Sequence, residues 1–172
     1  AVVPMYLLIA VWGSSSDFGS FSRTKEYGAM KLVLYLVAGS VLVWIAIVAL
    51  WLDGGHVLGL LALEEAEFSR NFQIFVFPLV AIGFGILAGM WPFHTWSPDG
   101  HVAAPTAVSM LHAGVLMKLG AFGILRVGMV LLPEGLVVWA PVLMGLATVN
   151  VIYGSISALA QKDLKYVIGY SS

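Results

Sequence analysis

Residues 104–132 read APTAVSMLHAGVLMKLGAFGILRVGMVLL, an apolar run with one lysine, Lys118, at its middle. A helix needs about 20 such residues to cross the hydrocarbon layer of a bilayer, so this run is long enough to span. Lys118 lies about fourteen residues, roughly 20 Å of helical rise, from either end. Its side chain cannot reach an interface over that distance. An ammonium held at such depth costs about 3 kcal/mol or more unless water or a partner meets it, and no acidic residue lies in an apolar segment of this chain to pair with it. The expectation is a charge kept for use, with polar or hydrated neighbours around it. His112 precedes it by six residues, about 9 Å along the same helix and about 120° around it. Because imidazole ordinarily titrates near neutrality, a proton relay is one reading of His112; a hydrogen bond to a neighbouring carbonyl is the other.

The rest of the chain belongs with that span. Of 172 residues, 60% are hydrophobic and 10% charged, and the mean hydropathy is +0.98. Those values exclude an ordinary soluble domain and define an all-α polytopic membrane protein. Cysteine is absent, which removes disulfides and thiolate metal sites. A net charge of −1 leaves no basic footprint for nucleic acid. No nucleotide, haem or iron–sulfur motif is present, so no cofactor is expected in this chain. Apolar sequence begins at Ala1 without a basic leader and resumes before Ser172, which reads as a fragment of a longer subunit rather than a signal peptide.

Measured against the span length, the chain divides into residues 1–12, 30–52, 73–91, 104–132 and 136–160, all in one transmembrane domain. The link at 13–27 is rich in Ser and Gly and reads as a short solvated loop. Arg23, Lys25 and Lys31 on one side, with Lys162 and Lys165 beyond four further spans, predict a cytoplasmic face. The acidic link at 53–70 and the turn at 133–135 then fall outside, and residues 58–67 read as a short surface helix.

The third span is not simple. Residues 82–92, IGFGILAGMWP, place three glycines before a proline that lacks a donor. Either the glycines serve close packing and Pro92 ends the span, or the helix is broken inside the membrane as in transporters. A linker follows, with His94 and His101 as candidates for proton uptake or a metal pair and no third ligand evident. Trp91 and Trp96 suit an interfacial belt. Arg126 reads as an interfacial anchor. Thr148, Asn150, Tyr153, Ser155 and Ser157 place polar groups along the last span, joining helices or lining a water file.

Taken together, PFHTW (92–96), PDGH (98–101), APTA (104–107), AGVLMKLG (113–120) and GILR (123–126) resemble the signature of antiporter-like proton-pumping subunits of respiratory complex I, nearest the M-type. VPMYLLI (3–9), DLK (163–165) and IGYSS (168–172) resemble further landmarks of that family, so the likeness covers the whole chain. It implies an inverted-repeat helix bundle, of which this segment holds most of the first repeat. It also implies other complex I membrane subunits and lipid as partners, protons as cargo, quinone reduction elsewhere in the complex, and no redox chemistry in this chain. A bacterial inner membrane is preferred over mitochondrial inner and thylakoid membranes.

By the resemblance, Lys118 matches the eighth-helix lysine of M-type subunits, and His112 falls where L-type subunits carry a histidine. A relay through Lys118 and His112 follows, with His94 and His101 taking up protons. Two departures stand against it. The family's fifth-helix glutamate falls upstream of Ala1, and its seventh-helix lysine aligns with Leu87. Two alternatives therefore accompany the pump: a subunit of a multi-subunit Na⁺/H⁺ antiporter, and an antiporter-like subunit that no longer pumps.

Overall fold

The structure, a computed structural model, describes residues 2–18 and 21–172. Helix α1 (Val2–Trp12) leads into a ribbon pairing β1 (Ser16–Phe18) with β2 (Phe21–Arg23) in antiparallel register. The link expected to be a loop thus contains strand pairing. Residues 19 and 20 and the Arg23 side chain, which fell within that expectation, lie outside the described residues. Helix α2 (Lys25–Asp53) starts earlier than the hydropathy predicts, because the Thr24 side chain accepts the backbone N–H of Tyr27 and so caps the helix. Lys31 is therefore a residue of the second helical turn and no part of a solvated loop.

Short helix α3 (Leu60–Glu64) is followed by α4 (Arg70–Ala88) and, after a break, α5 (Trp96–Ala103). The next span, Thr106–Met129, is built from α6 (Thr106–Leu111), a π turn (His112–Leu116), α7 (Met117–Gly123) and a second π turn (Ile124–Met129). Helix α8 (Pro133–Leu159) opens on proline, which is tolerated at a first helical position because its missing N–H would lack a partner there anyway. The expected turn at 133–135 is absorbed into that first turn. Helix α9 (Leu164–Ser171) follows. Four of these segments are long and apolar enough to cross a membrane: Lys25–Asp53, Arg70–Ala88, Thr106–Met129 and Pro133–Leu159.

Close backbone approach holds the bundle. A Cβ on Gly39 would lie 3.0 Å from the Gly83 carbonyl, and one on Gly120 would lie 2.5 Å from the Ala88 nitrogen. Small residues therefore let α4 touch both α2 and α7 along their backbones, the means by which helices gain van der Waals contact where lipid competes for every apolar surface. One apolar cluster gathers Ile9, Leu32, Leu36, Trp96 and Leu116, and a second gathers Leu50, Phe77, Val80 and Leu132.

The two clusters mark two ends. At one, the end of α1 and the start of α2 meet the end of α5: Ser14 N–H donates to the Ala103 carbonyl (3.0 Å), and Lys165 Nζ to the Val102 carbonyl (3.4 Å). At the other, α3, the start of α4 and the start of α8 meet: Arg126 pairs with Glu64 at 2.9 Å, and Gln73 Oε1 accepts the Glu134 N–H at 2.9 Å. Arg126, expected as an interfacial anchor, has a carboxylate of α3 as its partner.

Candidate functional site

The break between α4 and α5 follows directly from its residues. Gly89 takes φ +76°, a left-handed conformation that glycine adopts without steric cost. Its N–H bonds to the Ile86 carbonyl (3.1 Å) and the Met90 N–H to the Gly85 carbonyl (2.8 Å), the paired bonds of a Schellman ending. The helix thus stops at Ala88, before Pro92. Gly83 packs on α2, as the packing reading expects, but Gly89 rather than Pro92 ends α4. The freed backbone is partly answered by α8, where Asn150 Oδ1 accepts the Trp91 N–H at 3.0 Å.

After the break, all eight residues of α5 are buried. His101, expected in a linker, belongs to this helix. Trp96 corrects the interfacial-belt expectation: it is 0% exposed and its indole N–H donates to the Ile86 carbonyl at 3.0 Å. The sequence pattern misled because interfacial and core tryptophans look alike when each has one partner for its N–H. Trp96 stacks on His112, ring centroids 5.0 Å apart and planes at 8°; His101 stacks on His112 at 4.2 Å and 12°. His112 is 0% exposed. A Cβ on Gly100 would lie 3.2 Å from His112 Cε1, so the glycine lets the ring lie close over the α5 backbone.

His112 also begins the first π turn, in which the Met117 N–H reaches back five residues to the His112 carbonyl. Such a turn carries one residue more than an α turn, is rare, and is frequently found at functional sites. His101 Nδ1 lies 2.8 Å from Ser109 Oγ. Its Nε2 and both ring nitrogens of His112 are buried without a hydrogen-bond partner among the described residues, which in a native interior calls for an explanation.

His94 faces elsewhere. Its ring meets Tyr153 edge-on at 4.8 Å and Tyr170 at 6.5 Å. It lines a cavity of about 350 Å³ at the break, together with Ser97, Met117, Asn150, Tyr153 and Tyr170. Asn150, Tyr153 and Ser155 thus border a polar space, whereas the Thr148 hydroxyl bonds back to the Met144 carbonyl. The expected His94/His101 pair is split: one lines the cavity, the other the ring stack. No cluster of three metal-ligating side chains occurs among the described residues.

Lys118 departs most from expectation. It is exposed on the outer face of α7, among exposed Val115, Leu119 and Phe122, and it makes no hydrogen bond or ion pair among the described residues. Its neighbour Met117 faces inward, with the Ser97 hydroxyl 3.6 Å from its sulfur. Leu87, where the resemblance expects a lysine, packs against the apolar cluster of α1, α2 and α5.

Sequence reasoning missed one charged group altogether. Asp99, 4% exposed, pairs with Lys31 at 2.8 Å and accepts the Tyr166 hydroxyl at 3.3 Å. The available signal was an acid flanked by Pro98 and Gly100 between two apolar spans, with a lysine one turn into another.

This is the architecture of an antiporter-like membrane module, a broken helix crossing a bundle beside a histidine-bearing span. Comparison with known proteins agrees. The family model for the transmembrane part of NADH:quinone oxidoreductase and Mrp antiporter subunits matches residues 1–172, and the chain belongs to that family. It is 37% identical, over 99% of its length, to an NAD(P)H-quinone oxidoreductase chain 4 of Picosynechococcus sp. and to another of Thermosynechococcus vestitus, spanning 30% and 31% of those relatives. It superposes on 35% of a chain of respiratory complex I from Thermus thermophilus with TM-score 0.85, 26% identity and 99% of its own length covered. A chain of an archaeal membrane-bound sulfane sulfur reductase has the same fold, with TM-score 0.79 and 23% identity over 99% of this chain and 34% of that one.

Proposed function

We propose that this chain is the proton-translocating segment of a membrane subunit of a quinone-reducing complex of the complex I type, and that His112 is the centre of its relay. The observation that carries the reading is the buried stack of Trp96, His112 and His101, with three unpartnered imidazole nitrogens, one helix away from the polar cavity at the break. Imidazole N–H bonds lie in the ring plane, so two stacked rings cannot hand a proton directly to each other. Transfer between His101 and His112 requires a ring rotation or an intervening hydrogen-bonding group, and either event is a gate.

Lys118 follows one turn and a half later on the same span. A lysine at mid-span facing lipid is costly, so its outer face is read as covered by protein or reached by water in the assembled subunit. Protons then pass between His112 and Lys118, with His94 serving the cavity side. The partners are other membrane subunits and lipid, and the redox reaction takes place elsewhere. The relatives named as quinone oxidoreductase chains favour this reading over the Na⁺/H⁺ antiporter that shares the family description. Their cyanobacterial sources favour a bacterial energy-transducing membrane.

In the complete complex, reconstituted in vesicles, His112→Ala and Lys118→Met are each expected to abolish this subunit's share of electron-driven proton uptake while part of the electron transfer remains. Full proton uptake by both variants leaves the non-pumping alternative, for which Leu87 in its apolar setting is the supporting feature.

A further inference from the structure

The relay stack depends on α5 being held at one rotation about its axis. This helix has eight residues, about two turns, and it begins after a break, so α4 does not fix its register. Trp96 and His101 both project from it onto His112. A ring sits roughly 6 Å from its helix axis, so turning α5 by about 10° moves each ring by about 1 Å. Where a reaction needs aligned partners, displacement on that scale costs on the order of a hundredfold in rate.

Two helices converge on α5 around Asp99. Lys31 of α2 reaches its Oδ2 at 2.8 Å and the Tyr166 hydroxyl of α9 donates to its Oδ1 at 3.3 Å. Asp99 also lies in the first turn of α5, where the helix dipole favours a negative charge. One turn of α9 further on, a Cβ on Gly169 would lie 3.1 Å from Pro98 Cα and 3.7 Å from His101 Cβ, so α9 rests on the stretch that carries the stack. Lysine and aspartate are both largely out of water, with side chains 19% and 4% exposed. Such a pair adds little net stability over apolar packing of the same shape, so its use here is read as fixing one arrangement of the helices.

We infer that Lys31, Asp99 and Tyr166 form a positioning triad that fixes the rotation of α5 and thereby seats the His101 ring against His112. The triad rests on the relay reading above but carries no proton itself.

The test uses the complete complex in sealed vesicles, measuring assembly, electron transfer and protons moved per electron. Lys31→Met is expected to lower the proton-to-electron ratio by most of the loss seen in His112→Ala, because misplaced partners transfer slowly, with electron transfer within about twofold of wild type. Lys31→Asp combined with Asp99→Lys restores the pair and is expected to restore the ratio, which loss of packing alone does not predict. A wild-type ratio in Lys31→Met, or an assembled double variant that stays impaired, overturns the triad. Should Lys31→Met fail to assemble, Tyr166→Phe decides: it deletes one hydroxyl, a lowered ratio supports the triad, and an unchanged ratio overturns it. His112→Ala is measured alongside. If it pumps fully, the relay reading fails; if it is inactive while assembled Lys31→Met pumps fully, only the triad fails.

Discussion

The two ends of the bundle carry charges in opposite ways. Around α5 the Lys31–Asp99 pair faces inward, and at the same end the more exposed Lys25 and Lys165 reach the Val11 carbonyl at 3.1 Å and the Val102 carbonyl, each joining two helices. Each lysine satisfies a carboxylate or a helix C-terminus, where carbonyls lack intrahelical partners and positive charge is favoured. Around α3 the charges face outward: Arg126–Glu64 has side chains 38% and 31% exposed, and Arg70–Glu134, at 3.9 Å, 70% and 56%. An exposed pair contributes little because water competes for both partners. One end locks a short buried helix to its neighbours, and the other anchors exposed helix ends to one another.

The sharpest way to break this contrast is to remove one member of the inward pair. Asp99→Ala leaves the Lys31 ammonium without its carboxylate, and the expected loss is about 3 kcal/mol, the low side of the range for breaking a buried pair because Lys31 keeps some exposure. Thermal unfolding of the purified complex, followed with its assembly level, measures it. Next comes Gly100→Ala, whose new methyl group would meet Leu32 Cδ1 at 3.1 Å and His112 Cε1 at 3.2 Å. Overpacking of this kind costs about 1–3 kcal/mol, and its signature is a lowered proton-to-electron ratio before any change in assembly. At the outward end, Glu64→Gln is expected to cost about 0.5 kcal/mol and Arg70→Gln less, as for other exposed pairs. Equal destabilisation at both ends would erase the distinction between lock and anchor.

How much of this was legible beforehand differs by region. The spanning helices follow from apolar runs longer than a bilayer is thick, a property of the chain that needs no partner. Helix ends were less legible: α2 begins at a Thr24 cap and α8 at Pro133, and both are local hydrogen-bonding effects that hydropathy does not register. The break was visible as glycine density, but whether the chain resumed a helix depended on α2 and α9 being there to bury α5.

His112 stood out because an imidazole in an apolar run is rare whatever surrounds it. Its setting between Trp96 and His101 was not readable, since the stack joins residues from two helices whose separation depends on Gly100. Asp99 and Lys31 looked like loop charges for the same reason, being 68 residues apart and meaningful only as neighbours.

The amino-acid sequence by itself determined a membrane-embedded helical bundle, the family to which it belongs, and two titratable side chains within one span. Periodicity, length and side-chain chemistry act locally, and these follow from them. Tertiary structure alone decided which of those side chains meet: it enclosed His112, left Lys118 on the outer face, and turned two distant charges into one contact. Distances between helices are set by packing across the bundle, and no single stretch of chain contains that information.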